Sequence, residues 1–376
     1  MACFITTLIT FFFIFLHPLY AANFNYGSGF AAQSDLAHLS LINAMEKVDD
    51  RIYAVGVHGI IIFSDDEGET WTQASSVPTQ NTLTDISCAS IDECWVSGHD
   101  ATILYSSDKG NTWTVQYIDE AFDAPLLSIH MFNEQTGVAI GAFALSLRTS
   151  NGGNSWDYLF LTDDEFQPHL NYTYGDEQAW RKSSRNEGYA VGELGKYYTS
   201  DDQGQNWLVV DTGYFGSFWS GIKVDNGQSL LLGMSGNITL ATLIDPDDDV
   251  PENKEIAIAC YESGYYEDDC KLFAFDNLNI GTKNSLTSAI VLDDGRVAMS
   301  GNGGVVSIID LSRGQNIQTC IRGDRLSNTS IVQLKSDEFL IAGERGVRKH
   351  SMFQCMVNFK DQQSSSQDFF ITVNIN

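Results

Sequence analysis

Between residues 64 and 207 an eight-residue pattern occurs four times: SDDEGETW from Ser64, SSDKGNTW from Ser106, TSNGGNSW from Thr149 and SDDQGQNW from Ser200. All fit S/T-x-D/N-x-G-x-T/S/N-W and end on Trp71, Trp113, Trp156 and Trp207. A pattern of this length, returning about every 40–50 residues, demands an architecture that is itself repetitive. In each copy Asp66, Asp108, Asn151 or Asp202 can accept backbone N–H bonds across a tight turn. The glycine supplies a positive φ, and the tryptophan is placed to pack between sheets. Four copies spread around a ring cannot converge on one substrate, so these residues read as structural. Loss of the inter-sheet aromatic in Trp71→Ala is expected to cost about 3–5 kcal/mol.

A fainter motif extends the count. Apolar runs end in Gly56, Gly98, Gly141, Gly192, Gly233, Gly301 and Gly343, usually followed by a second glycine two or three residues on, as in YAVGVHG, YAVGELG and LIAGERG. The usual interval is about 42 residues, the length of a four-stranded propeller blade. Around each glycine, short alternating runs rich in β-branched and aromatic residues read as strands, and helical periodicity is absent. In the second copy TDISCAS, ECWVSG, ATILYSS and TWTVQYI read as inner, second, third and fourth strands, with the eight-residue turn between the last two. The predicted fold is all-β: a single seven-bladed β-propeller of four-stranded blades over residues 22–376. Residues 245–275 form an insertion near blades 5 and 6, and a long connection from Leu161 to Ala179 enters blade 4. Blade 7 needs a fourth strand, supplied either by Ala22–Phe30 or by the segment after Cys355. Closure of the ring removes exposed edges.

The ends and the cysteines set the compartment. Residues 1–21 contain an apolar stretch from Phe4 to Leu16, too short to span a bilayer, before the small residues Ala21 and Ala22. They read as a signal peptide, with an uncleaved anchor as the alternative, and place the mature chain outside the cytoplasm, in the periplasm or beyond. Cys3 would leave with it. The six remaining cysteines are expected to pair as Cys88–Cys94, Cys260–Cys270 and Cys320–Cys355. Zinc is the competing reading, but there is no CxxC pair and the histidines do not cluster beside the cysteines; no metal or cofactor is expected. A net charge of −28 opposes nucleic acid, whose phosphates would be repelled.

The turn pattern is the Asp-box of the bacterial neuraminidase repeat. Asp-boxes on a single exported propeller with VGxxG-type strands resemble the photosystem II stability/assembly factor-like family, over roughly Leu36 to Met352. That resemblance implies a seven-bladed propeller acting as a non-enzymatic assembly factor. Photosynthetic members carry an arginine-rich patch, whereas this chain has ten Arg within a strong acidic excess; an accessory role beside an envelope complex is the implied function. Sialidases share the Asp-box, but would imply six blades, an FRIP-like start, an arginine triad and a Tyr–Glu pair; no FRIP is present. Xyloglucanase-like hydrolases pair two propellers, and this chain has length for one.

Propeller ligands usually sit where the second-to-third-strand loops and the blade-to-blade loops meet at one mouth of the channel. The loop residues after the glycines, His58, His99, Asp100, Glu193, Glu344 and Arg345, are the candidate binding groups. Asp100 with Glu193 would be the carboxylate pair of a hydrolase, if their separation allowed it. Counting a constant distance back from each glycine gives an inner-strand column, Asn43, Asp85, Ser128, Ala179, Ser220, Ser288 and Ser330, expected to line a wet channel. Asp245, Asp247 and Asp249 have calcium-loop spacing but lack Gly at the sixth and Glu at the twelfth place, and read as a solvated loop. The expected partner is a membrane-associated protein of the envelope; a glycan is the alternative, and the chain is expected to be a monomer.

Overall fold

A computed structural model describes residues 29–121, 123–159, 161, 167–175, 187–224, 227–244, 255–260, 270–312, 316–335, 337–352 and 369–373. Its strands form seven antiparallel sheets in chain order, the seven blades. Their inner strands are Ile42–Val48, Leu83–Cys88, Leu126–Met131, Leu170–Gly175, Phe218–Val224, Leu286–Val291 and Asn328–Lys335. Each packs against the next, and the last packs against the first, so the ring is closed. The apolar core is divided accordingly into seven clusters, each lying between two adjacent blades. Burial of both faces of a sheet explains strands such as Cys94–Gly98 and Gly137–Gly141, buried at every position.

The four repeat turns fasten each blade to the one before it. In blade 1, Ser64 Oγ accepts from Gly68 N at 2.9 Å, while Asp66 accepts from Thr70 N at 2.9 Å and Thr70 Oγ1 at 2.6 Å. These bonds, the Thr70 hydroxyl first, hold the Asp66 carboxyl down at about 2. Asn151 keeps the same geometry without charge, accepting from Ser155 N and donating to Ser155 Oγ. Trp113 is buried in the cluster between blades 1 and 2, and Trp156 in that between blades 2 and 3. Trp71 and Trp207 are only half-buried against the clusters they join.

Disulfides join Cys88 to Cys94 and Cys260 to Cys270, each closing the end of a strand pair. Cys320 is buried and disulfide-bonded; Cys355 lies outside the described residues, as do residues 1–21. In the insertion, Glu255–Cys260 pairs with Cys270–Asn279, which in turn pairs with Asn237–Ile244, so blade 5 gains a fifth, outer strand. Asp245, Asp247 and Asp249 lie outside the described residues.

Among the described residues, neither end of the chain supplies the expected fourth strand of blade 7. Phe369–Val373 pairs instead with Asn316–Ile321, adding a fifth strand to blade 6. The residues following Gly29 run along blade 1, with Ala31 N bonded to Val77 O and Gln73 Nε2 to Ala32 O. Among the described residues blade 7 has three strands. The blade 7–blade 1 junction is joined by side chains instead: Thr329 Oγ1 donates to Ile42 O at 2.6 Å, and Met45 N donates to Ser330 Oγ at 3.0 Å.

Candidate functional site

Alternating strand directions place all the second-to-third-strand loops and all the blade-to-blade connections at one mouth of the channel. The two sets interlock. Gly195 N donates to Gly216 O, Gly59 N to Asn81 O, Ala101 N to Ala124 O and Ala144 N to Pro168 O, each binding a loop to the connection that follows its own blade. At Gly195 (φ 65°) a side chain would strike Tyr214 O, so the second glycine of the motif permits this contact. The mouth is therefore a rigid double ring of loops.

At the loop apices stand His58, Asp100, Phe143, Leu194 and Ser235, all non-glycine residues in the left-handed region. That conformation is held against its intrinsic cost by the surrounding contacts, a condition common at sites that present side chains. His58 and His99 are exposed, as are Glu344 and Arg345. Asp100 and Glu193 belong to blades 2 and 4, and each is occupied locally. Asp100 Oδ2 accepts from Asn81 Nδ2 at 3.0 Å, and Glu193 Oε2 accepts from His169 N at 2.9 Å. Both carboxylates brace loops.

The inner-strand column differs from its sequence reading in two ways. Its register slips in blades 1 and 4, where Ala44 and Tyr172, not Asn43 and Ala179, align with Asp85 and Ser128. A constant offset assumes equal hairpins, and the first hairpin of blade 4 is long; Ala179 lies outside the described residues. Nor are the small residues simply a wet lining. Ser128, Ser220 and Ser330 are buried, and three column residues accept backbone N–H bonds from the next blade: Ser330 from Met45, Asp85 from Ile129 and Ser128 from Thr173. Adjacent inner strands do not pair as a sheet, so such side chains satisfy the free N–H groups. Burial pushes the Asp85 carboxyl up to about 6, against hydrogen bonds from Ser128, Ile129 and Ile86.

One residue before this column, every inner strand carries a bulge. In five blades the bulged residue donates to the first carbonyl of the next inner strand: Asn43 to Leu83, Thr84 to Leu126, Asn171 to Phe218, Thr287 to Asn328 and Thr329 to Ile42, at 2.6–2.7 Å. Blades 3 and 5 break the series with Leu127 and Trp219, which make no such bond among the described residues.

The mouth thus has two dissimilar arcs. Over blades 6 and 7 lie Arg322, Arg325, Arg345 and Arg348, with Asp324 bonded to Arg322 and, at 2.7 Å, to Arg348. Burial, and then the nearby Arg322, lower the Arg348 pKa. Over blades 3 to 5 five large apolar side chains are exposed, Phe143, Leu194, Met234, Trp219 (45% exposed) and Phe215 (91%), among polar groups such as Asp211, Ser235 and Lys283. Sequence reasoning missed this arc because it surveyed the loops for polar residues. The signal was present in AFA, ELG and MSG, where bulky apolar residues follow the glycine. Among the described residues no group of three His, Cys, Asp or Glu side chains could hold a metal ion, and no helix is long and apolar enough to cross a membrane.

A family model described as photosynthesis system II assembly factor YCF48 matches residues 73–269, just over half of the chain. No curated protein sequence matches it. Among solved structures, one described as YCF48 bound to D1 peptide has a TM-score of 0.60 at 18% identity, covering 85% of this chain and 98% of that one. YCF48 from Cyanidioschyzon merolae gives 0.60 at 15%, covering 84% and 96%. The WD40 propeller domain of Doa1 gives 0.58 at 12%, covering 86% and 96%. At such identities the structural likenesses show a shared fold.

Proposed function

The chain belongs to the photosynthesis system II assembly factor YCF48 family, and from that premise we propose that it is an exported, non-catalytic propeller that binds a segment of an envelope membrane protein during assembly of a complex. The observation that carries this reading is the mouth: a rigid ring of interlocked loops presenting apolar and charged arcs side by side. Rigid loops bind with little ordering cost, which suits recognition of an extended segment. A relative has been solved with a peptide bound, which supports a protein ligand for this chain. The most regular polar residues are committed to turns and inter-blade bonds, and Asp100 and Glu193 brace separate loops, which disfavours a hydrolytic pair. Export is inferred from residues 1–21 and from the disulfides.

The test is capture of partners from a solubilised membrane extract of the native cell, followed by reconstitution with the purified protein so identified. One membrane protein should bind, and changes at the mouth, in either arc or at His99 and Asp100, should weaken it. Turnover of sialosides or β-glucans that disappears in Asp100→Asn would overturn the reading in favour of a hydrolase. Export is checked separately, by the N-terminus of the mature chain, expected at Ala22.

A further inference from the structure

Building on the reading of the mouth as a protein-binding site, we infer that the arc over blades 3 to 5 is the anchor subsite, and that it takes a segment bearing a bulky apolar side chain flanked by lysine or arginine. Three observations converge. First, Phe143, Leu194, Phe215, Trp219 and Met234 are all exposed on consecutive, mutually bonded loops. His169 links Phe143 (ring centroids 5.0 Å) to the Glu193 loop, Gly195 N bonds to Gly216 O, and Met234 N bonds to Ser217 O. Apolar groups gathered on one rim mark an interaction surface, whereas scattered ones do not.

Second, two of the bulge-position bonds lapse at this arc, those from blades 3 and 5, while Asn171 of blade 4 keeps its bond to Phe218 O. Leu127 and Trp219 occupy the bulge positions that hold Asn or Thr in the other five blades, where those residues tie neighbouring inner strands. Trp219 forgoes an inter-blade hydrogen bond and remains 45% exposed, an arrangement that packing of the ring does not require.

Third, the charge around the arc specifies the flanks of the ligand. Its rim carries Glu120, Asp123, Glu193 and Asp211 against Lys196, which is paired with Asp211, and Lys283, on a chain of net charge −28. An acidic segment or an anionic membrane would be repelled, whereas a basic flank would be attracted from a distance of about a Debye length. An apolar anchor with a basic flank satisfies both the surface and the field.

The experiment is selection of random 12-residue peptides displayed on phage against the full mature chain, followed by binding of the enriched peptides made synthetically. Enriched sequences should place Phe, Trp, Leu or Met next to Lys or Arg, and their affinity should fall as salt rises. Phe215→Ala combined with Trp219→Ala should weaken binding at least tenfold, without change in the circular dichroism spectrum, since both side chains are exposed. Asp123→Asn with Glu193→Gln should flatten the salt dependence. Enrichment of acidic or wholly polar peptides, no enrichment at all, or wild-type binding by the Phe215/Trp219 variant would overturn the inference. Binding abolished only by Arg345→Ala or His99→Ala would overturn it while leaving the mouth as the protein site. Binding only of anionic vesicles or of sialyllactose would overturn both readings.

Discussion

Trp113 and Trp71 occupy the same place in the repeat but not the same environment. Trp113 is 2% exposed and donates through Nε1 to Gly110 O, whereas Trp71 is half-buried. Trp113→Ala should therefore cost about 3–5 kcal/mol in denaturant unfolding, and Trp71→Ala distinctly less than the sequence suggests. Asp85 sets a second residue-level expectation. Its folded pKa, raised to about 6, lies above the ordinary carboxylate value, so the native state holds the proton more tightly than the unfolded chain. The associated stability is present below about pH 4 and is lost as the pH rises through 6, by on the order of 1–3 kcal/mol. Asp85→Asn, measured by thermal unfolding at several pH values, should remove that slope and gain most over wild type above pH 7.

At the scale of the element, the outer strands show how the blades are finished. Phe369–Val373 covers Asn316–Ile321, which would otherwise be the exposed edge of blade 6. Such an edge offers unpaired N–H and C=O groups to other chains. A chain ending at residue 352 should therefore aggregate at concentrations where the full chain does not, as read by light scattering. The same truncation removes Cys355, expected to pair with Cys320, so a second variant ending at residue 368 removes the strand while keeping that cysteine. Equal behaviour of the full chain and the 368-residue form would show that the edge needs no cover. Blade 5 uses the other solution, a hairpin closed by Cys260–Cys270 within its own insertion.

For the molecule as a whole, closure is distributed. Seven inter-blade clusters share the apolar burial, and five bulge residues bond across junctions. The junction between blades 7 and 1 joins the two ends of the repeat array and has no strand exchanged across it among the described residues. Thr329→Val severs its bond to Ile42 O while keeping the side chain's shape. It should cost about 1 kcal/mol, with hydrogen exchange accelerated first in blades 1 and 7. Uniform acceleration around the ring would mean instead that the blades open only together.

Blade number, strand order and the disulfides at Cys88–Cys94 and Cys260–Cys270 were legible in the residues, because each depends on local chemistry repeated at a fixed interval. A glycine needed for a close approach recurs in all seven blades, and the turn with its tryptophan in the first four. What lay outside that reach depends on how distant segments meet. Asn43 and Ala179 fell out of register because hairpin lengths differ between blades, and no local pattern reports the offset. The C-terminal strand went to blade 6 because pairing partners are chosen in space. The apolar arc was hidden for the same reason: Phe143, Leu194, Phe215, Trp219 and Met234 lie on successive blades, and each alone is an ordinary exposed hydrophobe. Closing the ring brings their loops to one rim, and only there do they become a surface.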